Sequence, residues 1–168
     1  MRIIHFIESI KVSYGGPAFG MSRIINNYPA NIDVTVVVTG RKFVGSEVYF
    51  KKKVKLVILK NGLDLIKFLI KNHYDLAIVH GVWRYELFIV GIFSYFERKK
   101  AFVFPHGMLD TFFFERQQKK WFKKVIFHRV FQKYVLSLYS KILCTSAIEK
   151  NKIIFLQKSL VNSVCDVG

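Results

Sequence analysis

Tyr74-Asp75-Leu76-Ala77-Ile78-Val79-His80-Gly81-Val82-Trp83 is the stretch that decides the fold. The run over residues 76–79 is apolar without a polar residue at every second position, so it reads as a strand buried on both faces. It ends in a His-Gly turn, a helical pattern follows over 83–97, and a second apolar run at 101–104 ends in Pro105-His106-Gly107. Strand, crossover helix and strand make the unit of a parallel sheet. Working outward, similar runs at 2–7, 34–39, 54–59 and 142–144 alternate with helical patterns at 18–27, 63–71, 114–138 and 147–156. The alternation predicts one α/β domain over residues 1–168, a doubly wound, mostly parallel sheet with helices on both faces.

Composition bounds the function. With 52% hydrophobic residues and 16% aromatics among 168, the chain can bury a sizeable core, which excludes a disordered polycation even though 27 Lys and Arg face 11 Asp and Glu for a net charge of +16. Cys144 and Cys165 form neither a disulfide framework nor a zinc spacing, and a reducing compartment fits. Residues 1–11 lack the pattern of a secretory signal, and the most apolar later stretch, 87–96, is about ten residues long where a helix needs roughly 20 to cross a bilayer. The expectation is a basic domain, without a transmembrane helix, that meets an anionic surface, either nucleic acid or the cytoplasmic face of a membrane.

In a sheet of this kind the functional atoms lie just beyond the C-terminal strand ends. Three loops qualify: 8–17, 80–83 and 105–110. In the first, Gly15 and Gly16 permit positive φ and close backbone approach, and Pro17 supplies a preset φ for the helix start, so the loop is either a cradle for a phosphate or sugar hydroxyl or only a tight strand-to-helix turn. It matches neither the dinucleotide fingerprint nor a P-loop. The second brings His80 and Arg84 to a strand end, the third His106 and Asp110. Each imidazole is either a ligand to a hydroxyl or a structural hydrogen-bonding group, and Asp110 is either a further ligand or a helix cap. No metal-ligating spacing is present.

These segments, Gly15-Gly16-Pro17, the 74–83 stretch, Pro105-His106-Gly107-Met108-Leu109-Asp110 and Leu143-Cys144-Thr145-Ser146-Ala147-Ile148-Glu149, resemble in order the N-terminal half of family 4 (group 1) retaining glycosyltransferases. The resemblance implies one Rossmann-like half of a GT-B fold, the acceptor-binding domain, with the C-terminal nucleotide-sugar domain and its Glu-x7-Glu motif absent from the sequence. It implies a nucleotide-sugar donor as substrate, no cofactor or metal, and a lipid-linked saccharide acceptor extended during bacterial surface polysaccharide synthesis. Carried over by motif, Gly15, Gly16 and His106 border the donor's diphosphate and sugar, and His80 contacts the acceptor side. Such a half should not turn over alone, because a leaving diphosphate needs fixed positive charge where its own charge develops. The alternative is a non-catalytic, truncated or split domain that binds an anionic membrane or a separately encoded C-terminal partner.

Residues 115–133 carry Arg116, Lys119, Lys120, Lys123, Lys124, Arg129 and Lys133 against one acid, interleaved with Trp121 and other apolar residues. The pattern reads as a cationic amphipathic helix. It either covers the sheet with a solvated lysine face or lies on the inner face of the cell membrane, with Arg116, Lys119, Lys120, Trp121, Lys123 and Lys124 at the lipid surface. A peripheral cytoplasmic location is the expectation. Nucleic acid ranks behind membrane, because the excess charge is diffuse, with 13 cations and 5 acids in residues 1–84 and 14 and 6 in 85–168, and no nucleic-acid-binding signature accompanies it.

Overall fold

The computed structural model describes residues 1–40, 47–108, 133–156 and 164–166. Seven strands, β1 (Arg2–Ile7), β2 (Asp33–Val38), β3 (Lys55–Ile58), β4 (Leu76–His80), β5 (Lys100–Phe104), β6 (Lys141–Cys144) and β7 (Val164–Asp166), form one sheet in the order β3-β2-β1-β4-β5-β6-β7. Every neighbouring pair is parallel, from Ile3↔Val34 at one side to Leu143↔Cys165 at the other. The helices are α1 (Gly16–Asn26), α2 (Gly62–Lys71), α3 (Tyr85–Phe96), α4 (Lys133–Ser137) and α5 (Ala147–Leu156). This is the expected Rossmann-like α/β fold.

Alternate residues of the strands feed two cores. Ile4, Phe6, Val37, Ala77, Val79 and Val103 point to the face covered by Leu65 and Leu69 of α2, Leu87 and Val90 of α3 and Leu136 of α4. Ile7, Val34, Val36 and Val38 point the other way, onto Ala18, Met21 and Ile25 of α1. Those three recur at helical spacing, and burying Met21 and Ile25 contributes roughly 1.5–3 kcal/mol each. Gly91 lets α3 seat against Tyr139: a Cβ there would lie 2.8 Å from its ring, and the Tyr139 hydroxyl donates to the Leu87 carbonyl at 2.7 Å.

The structure corrects three expectations of detail. β3 is an edge strand, and Leu56 and Ile58 are 41% and 52% exposed, so this apolar run is not covered on both faces. Helix α3 starts at Tyr85, two residues after the expected start, because residues 81–84 are held by tertiary bonds: the Gly81 N–H donates to the Phe104 carbonyl (2.9 Å) and the Trp83 indole to the Met108 carbonyl (3.2 Å). β7, only three residues long, was not anticipated. Of the helix expected at 114–138, residues 133–137 are helical and 114–132 lie outside the described residues. No helix among the described residues is long and apolar enough to cross a membrane.

Candidate functional site

The strand order reverses between β1 and β4: the chain leaves β1 toward β2 and β3, then crosses back to β4 on the other side. Loops after β1 and β4 therefore part, leaving a crevice at their C-terminal ends. The described residues of the three expected loops, 8–17, 80–83 and 105–108, meet there.

In the loop after β1, a short 3₁₀ turn (Val12–Tyr14) leads to Gly15, which caps α1 with φ +75° and ψ −140°, a conformation closed to side-chain-bearing residues. Gly16 is the first residue of α1 and does not have positive φ, so only Gly15 uses that freedom. A Cβ on either glycine would meet nothing within 4 Å, so both border open space at the N-terminus of α1. The Gly15 N–H donates to the Val12 carbonyl, the Ala18 and Phe19 N–H groups donate to the Gly15 carbonyl, and Pro17 has no N–H, so among the described residues the Gly16 N–H is the donor left at this opening. One turn on, Gly20 lies against His106: a Cβ there would sit 3.0 Å from the imidazole Cε1.

His106 follows β5 with φ +52° and Gly107 with φ +75°. This strained turn is held from outside by Glu149, whose carboxylate accepts the Gly107 N–H (2.7 Å) as well as the Thr145 N–H and hydroxyl (2.7 Å each). Ser146 caps α5 by accepting the Glu149 N–H at 3.2 Å, so Thr145-Ser146-x-x-Glu149 both starts a helix and braces the histidine loop. Phe104 stacks on His106 with ring centroids 4.3 Å apart.

From half-buried His106 a file of rings runs inward through buried His80 and His5 to half-buried Tyr28, a connection not expected from the sequence. His106 Nε2 lies 2.8 Å from His80 Nδ1, His80 Nε2 lies 2.8 Å from His5 Nδ1, and His5 Nε2 lies 3.1 Å from the Tyr28 hydroxyl. His5 stands inside the apolar run at 2–7; a histidine inside an apolar strand needs a partner, and that need is the available signal. Burial holds all three imidazoles neutral: it lowers the pKa of His5 to about 3 and of His106 to about 4, and depresses His80, between two other rings, well below the usual histidine value. The rings run in file, and among the described residues no three His, Cys, Asp or Glu side chains group so as to hold a metal ion.

The other wall of the crevice is charged. Arg84, the residue before α3, bonds Glu8 (Nη1 to Oε1, 2.8 Å) and Glu86 (Nε to Oε1, 3.0 Å), and buried Glu86 also accepts from the Thr39 hydroxyl. Tyr14 donates to Glu8 at 3.2 Å. Burial opposes the guanidinium's charge, but Glu86 and Glu8 outweigh it and its pKa is raised. Burial, then Glu8, raises the Tyr14 pKa. Beside this wall opens a cleft of about 440 Å³ lined by Glu8, Thr39, Lys60, Asn61, Gly62, Arg84 and Tyr85. Arg84 thus reaches the rim with its charge already engaged by two carboxylates. Glu8, Glu86 and Glu149 were not anticipated as site residues.

Of the anticipated residues, Gly15, Gly16, Arg84 and His106 come to one rim, and His80 lies buried behind His106. Asp110, Arg116, Lys119, Lys120, Trp121, Lys123 and Lys124 lie outside the described residues. A wider groove of about 1080 Å³ lies at the opposite, N-terminal strand ends, lined by Arg2, Lys52, Lys53, Lys55 and Lys71 among others. Helix C-termini arrive at that edge, so the helix dipoles there do not favour an anion as the N-terminus of α1 does. Compared with protein-family models and with curated proteins, the chain matches none at a significant level.

Proposed function

We propose that the chain is the acceptor-side half of a two-domain sugar transferase of the GT-B kind, acting with a second domain that binds the nucleotide of a nucleotide-sugar donor. The observation that carries this reading is the convergence of the Gly15-Gly16 turn with the His80 and His106 loops at the reversal point of the sheet. The open helix N-terminus of α1 suits a phosphate or sugar oxygen, and His106, neutral and set by Glu149, suits a hydroxyl or phosphate oxygen. In the closed cleft, such fixed dipoles would oppose the charge developing on the leaving diphosphate. Glu8 and Glu86 are bound to Arg84, so neither is poised as a nucleophile, which suits a transfer in which the protein orients the two sugars and lets the diphosphate leave.

Titrating the isotopically labelled chain with a nucleotide sugar, or with a saccharide-diphosphate lipid in detergent, tests the reading by amide shifts. Gly15, Gly16, Ala18 and Gly107 should move first, and sugar transfer by the chain alone should be undetectable. Unmoved resonances at millimolar ligand overturn the reading.

A lipid-linked acceptor would place the protein on the cytoplasmic membrane face. One described feature favours this. Leu63, Ile66 and Ile70 form an exposed apolar stripe on α2, 69%, 38% and 68% exposed, beside the exposed Lys67 and Lys71. Co-sedimentation with anionic vesicles checks it: binding that is unaffected when Leu63, Ile66 and Ile70 are changed to Ser excludes α2 as the contact.

A further inference from the structure

Three neutral imidazoles hydrogen-bonded in series cannot choose their tautomers separately. Each neutral ring has one N–H and one lone pair. In the file Tyr28–His5–His80–His106, both ring-to-ring bonds form only if all three rings carry the proton on Nδ1 or all three carry it on Nε2. A mixed pattern sets lone pair against lone pair, or N–H against N–H, in a place where His5 and His80 are buried.

The far end decides between the two patterns. A phenol is a better donor than acceptor, and burial raises the Tyr28 pKa to about 12, so its proton stays on and points at His5 Nε2. His5 then protonates on Nδ1 and donates to His80, which protonates on Nδ1 and donates to His106 Nε2. What remains is the His106 Nδ1–H, at the end of the file facing α1, where Gly20 has no side chain and a Cβ would lie 3.4 Å from that nitrogen. Among the described residues His106 Nδ1 has no hydrogen-bond partner.

We propose that Tyr28 and His5 are positioning residues that act through His80 to fix His106 as an Nδ1–H donor, so that the rim recognises an acceptor oxygen of a phosphate or sugar. The file is a lock and not a conveyor. Passing the His106 proton to a ligand and refilling it along the chain would leave a phenolate at Tyr28, which its burial disfavours. The ligand part of this inference rests on the function proposed above; the tautomer part does not.

The experiment is a two-bond proton–nitrogen correlation of histidine-labelled full chain at neutral pH. The expected result is a pyrrole-type Nδ1 and a pyridine-type Nε2 on all three rings. Tyr28→Phe keeps the aromatic ring, and its amide spectrum reports whether the fold is intact; it should turn His106 into a mixture of tautomers and weaken pyrophosphate binding roughly threefold to tenfold. An Nε2–H form in the unaltered protein, or His106 nitrogen shifts unmoved by Tyr28→Phe, overturns the proposal. Correct tautomers with no pyrophosphate shift at His106 would instead count against the transferase reading while leaving the lock in place.

Discussion

The two walls of the crevice hold polar groups in opposite ways. Under α1, buried His5 and His80 and half-buried His106 are neutral, bound ring to ring. Toward α3, Arg84 is ion-paired with Glu8 and with Glu86; the Arg84 and Glu8 side chains remain 34% and 37% exposed, and that of Glu86 4%. An oppositely charged partner, with exposure at Arg84 and Glu8, explains the division, since Glu86 is as buried as His80 but has Arg84 beside it. A charge can remain where solvent still reaches it and a partner stands 2.8 Å away, whereas in the file of rings desolvation removes the charge instead. A void of about 10 Å³, lined by residues of both walls, lies where they meet, and no hydrogen bond joins His80 to Glu86 among the described residues. The walls should therefore respond to different variables, the neutral one to protons and the charged one to salt and to loss of a partner.

Acid should have the largest effect, and it should act on the neutral wall. The folded pKa values of His5 and His106, about 3 and about 4, lie below the unfolded value of 6.5, so below pH 6.5 the unfolded chain binds more protons. Stability is then level above that pH and falls as pH drops toward the folded values. At pH 5 each of the two costs roughly 2 kcal/mol, and His80 pulls the same way. Urea midpoints at pH 7, 6 and 5 measure this, and a midpoint constant from pH 7 to 5 would show that the rings are not held neutral.

Removing one partner from the charged wall should cost less. Glu86→Ala strips the Thr39 hydroxyl of an acceptor and Arg84 of its buried carboxylate, but Arg84 keeps Glu8 and is a third exposed, which discounts the loss to about 2–3 kcal/mol. The acid-induced loss between pH 7 and 5 should be the same in this variant as in the unaltered chain, since independent walls add. A changed pH slope would mean that they are coupled across the void.

The difference between the walls also explains what the sequence revealed. β4 and β5 were legible because β-branched and apolar runs bounded by Gly and Pro carry a local signal, and His80 and His106 were legible because they end those runs. His5 was not, since its partner His80 lies 75 residues away and nothing near His5 in sequence announces it. Glu149 was noticed only as part of a motif; its bond to Gly107 spans 42 residues. Glu86 stands in the first turn of α3, where the dipole favours any acid, and only the crossover brings Thr39 to it. β3 misled because an apolar run says nothing about which strand stands at the edge.

The turn between the walls gives the smallest effect on stability and the finest test. The 3₁₀ turn and the start of α1 bridge the two sides: Tyr14 bonds Glu8 of the charged wall, and Gly20 touches His106 of the neutral one. Gly15→Ala introduces no clash, yet it forces a Cβ onto φ +75° and ψ −140°, for a cost of about 1–3 kcal/mol. Gly16→Ala, one residue on, also meets nothing within 4 Å and carries no positive φ, so the better helix propensity of Ala should leave stability unchanged or raise it by a few tenths of a kcal/mol. If the open space beside these glycines is a ligand cradle, both variants should weaken binding of a sugar diphosphate while only the first loses stability. If it is only a turn, Gly16→Ala should bind as the unaltered chain does. The separation of stability from binding at Gly16, read by thermal melting and by titration of the same sample, decides whether the rim between the walls is a site.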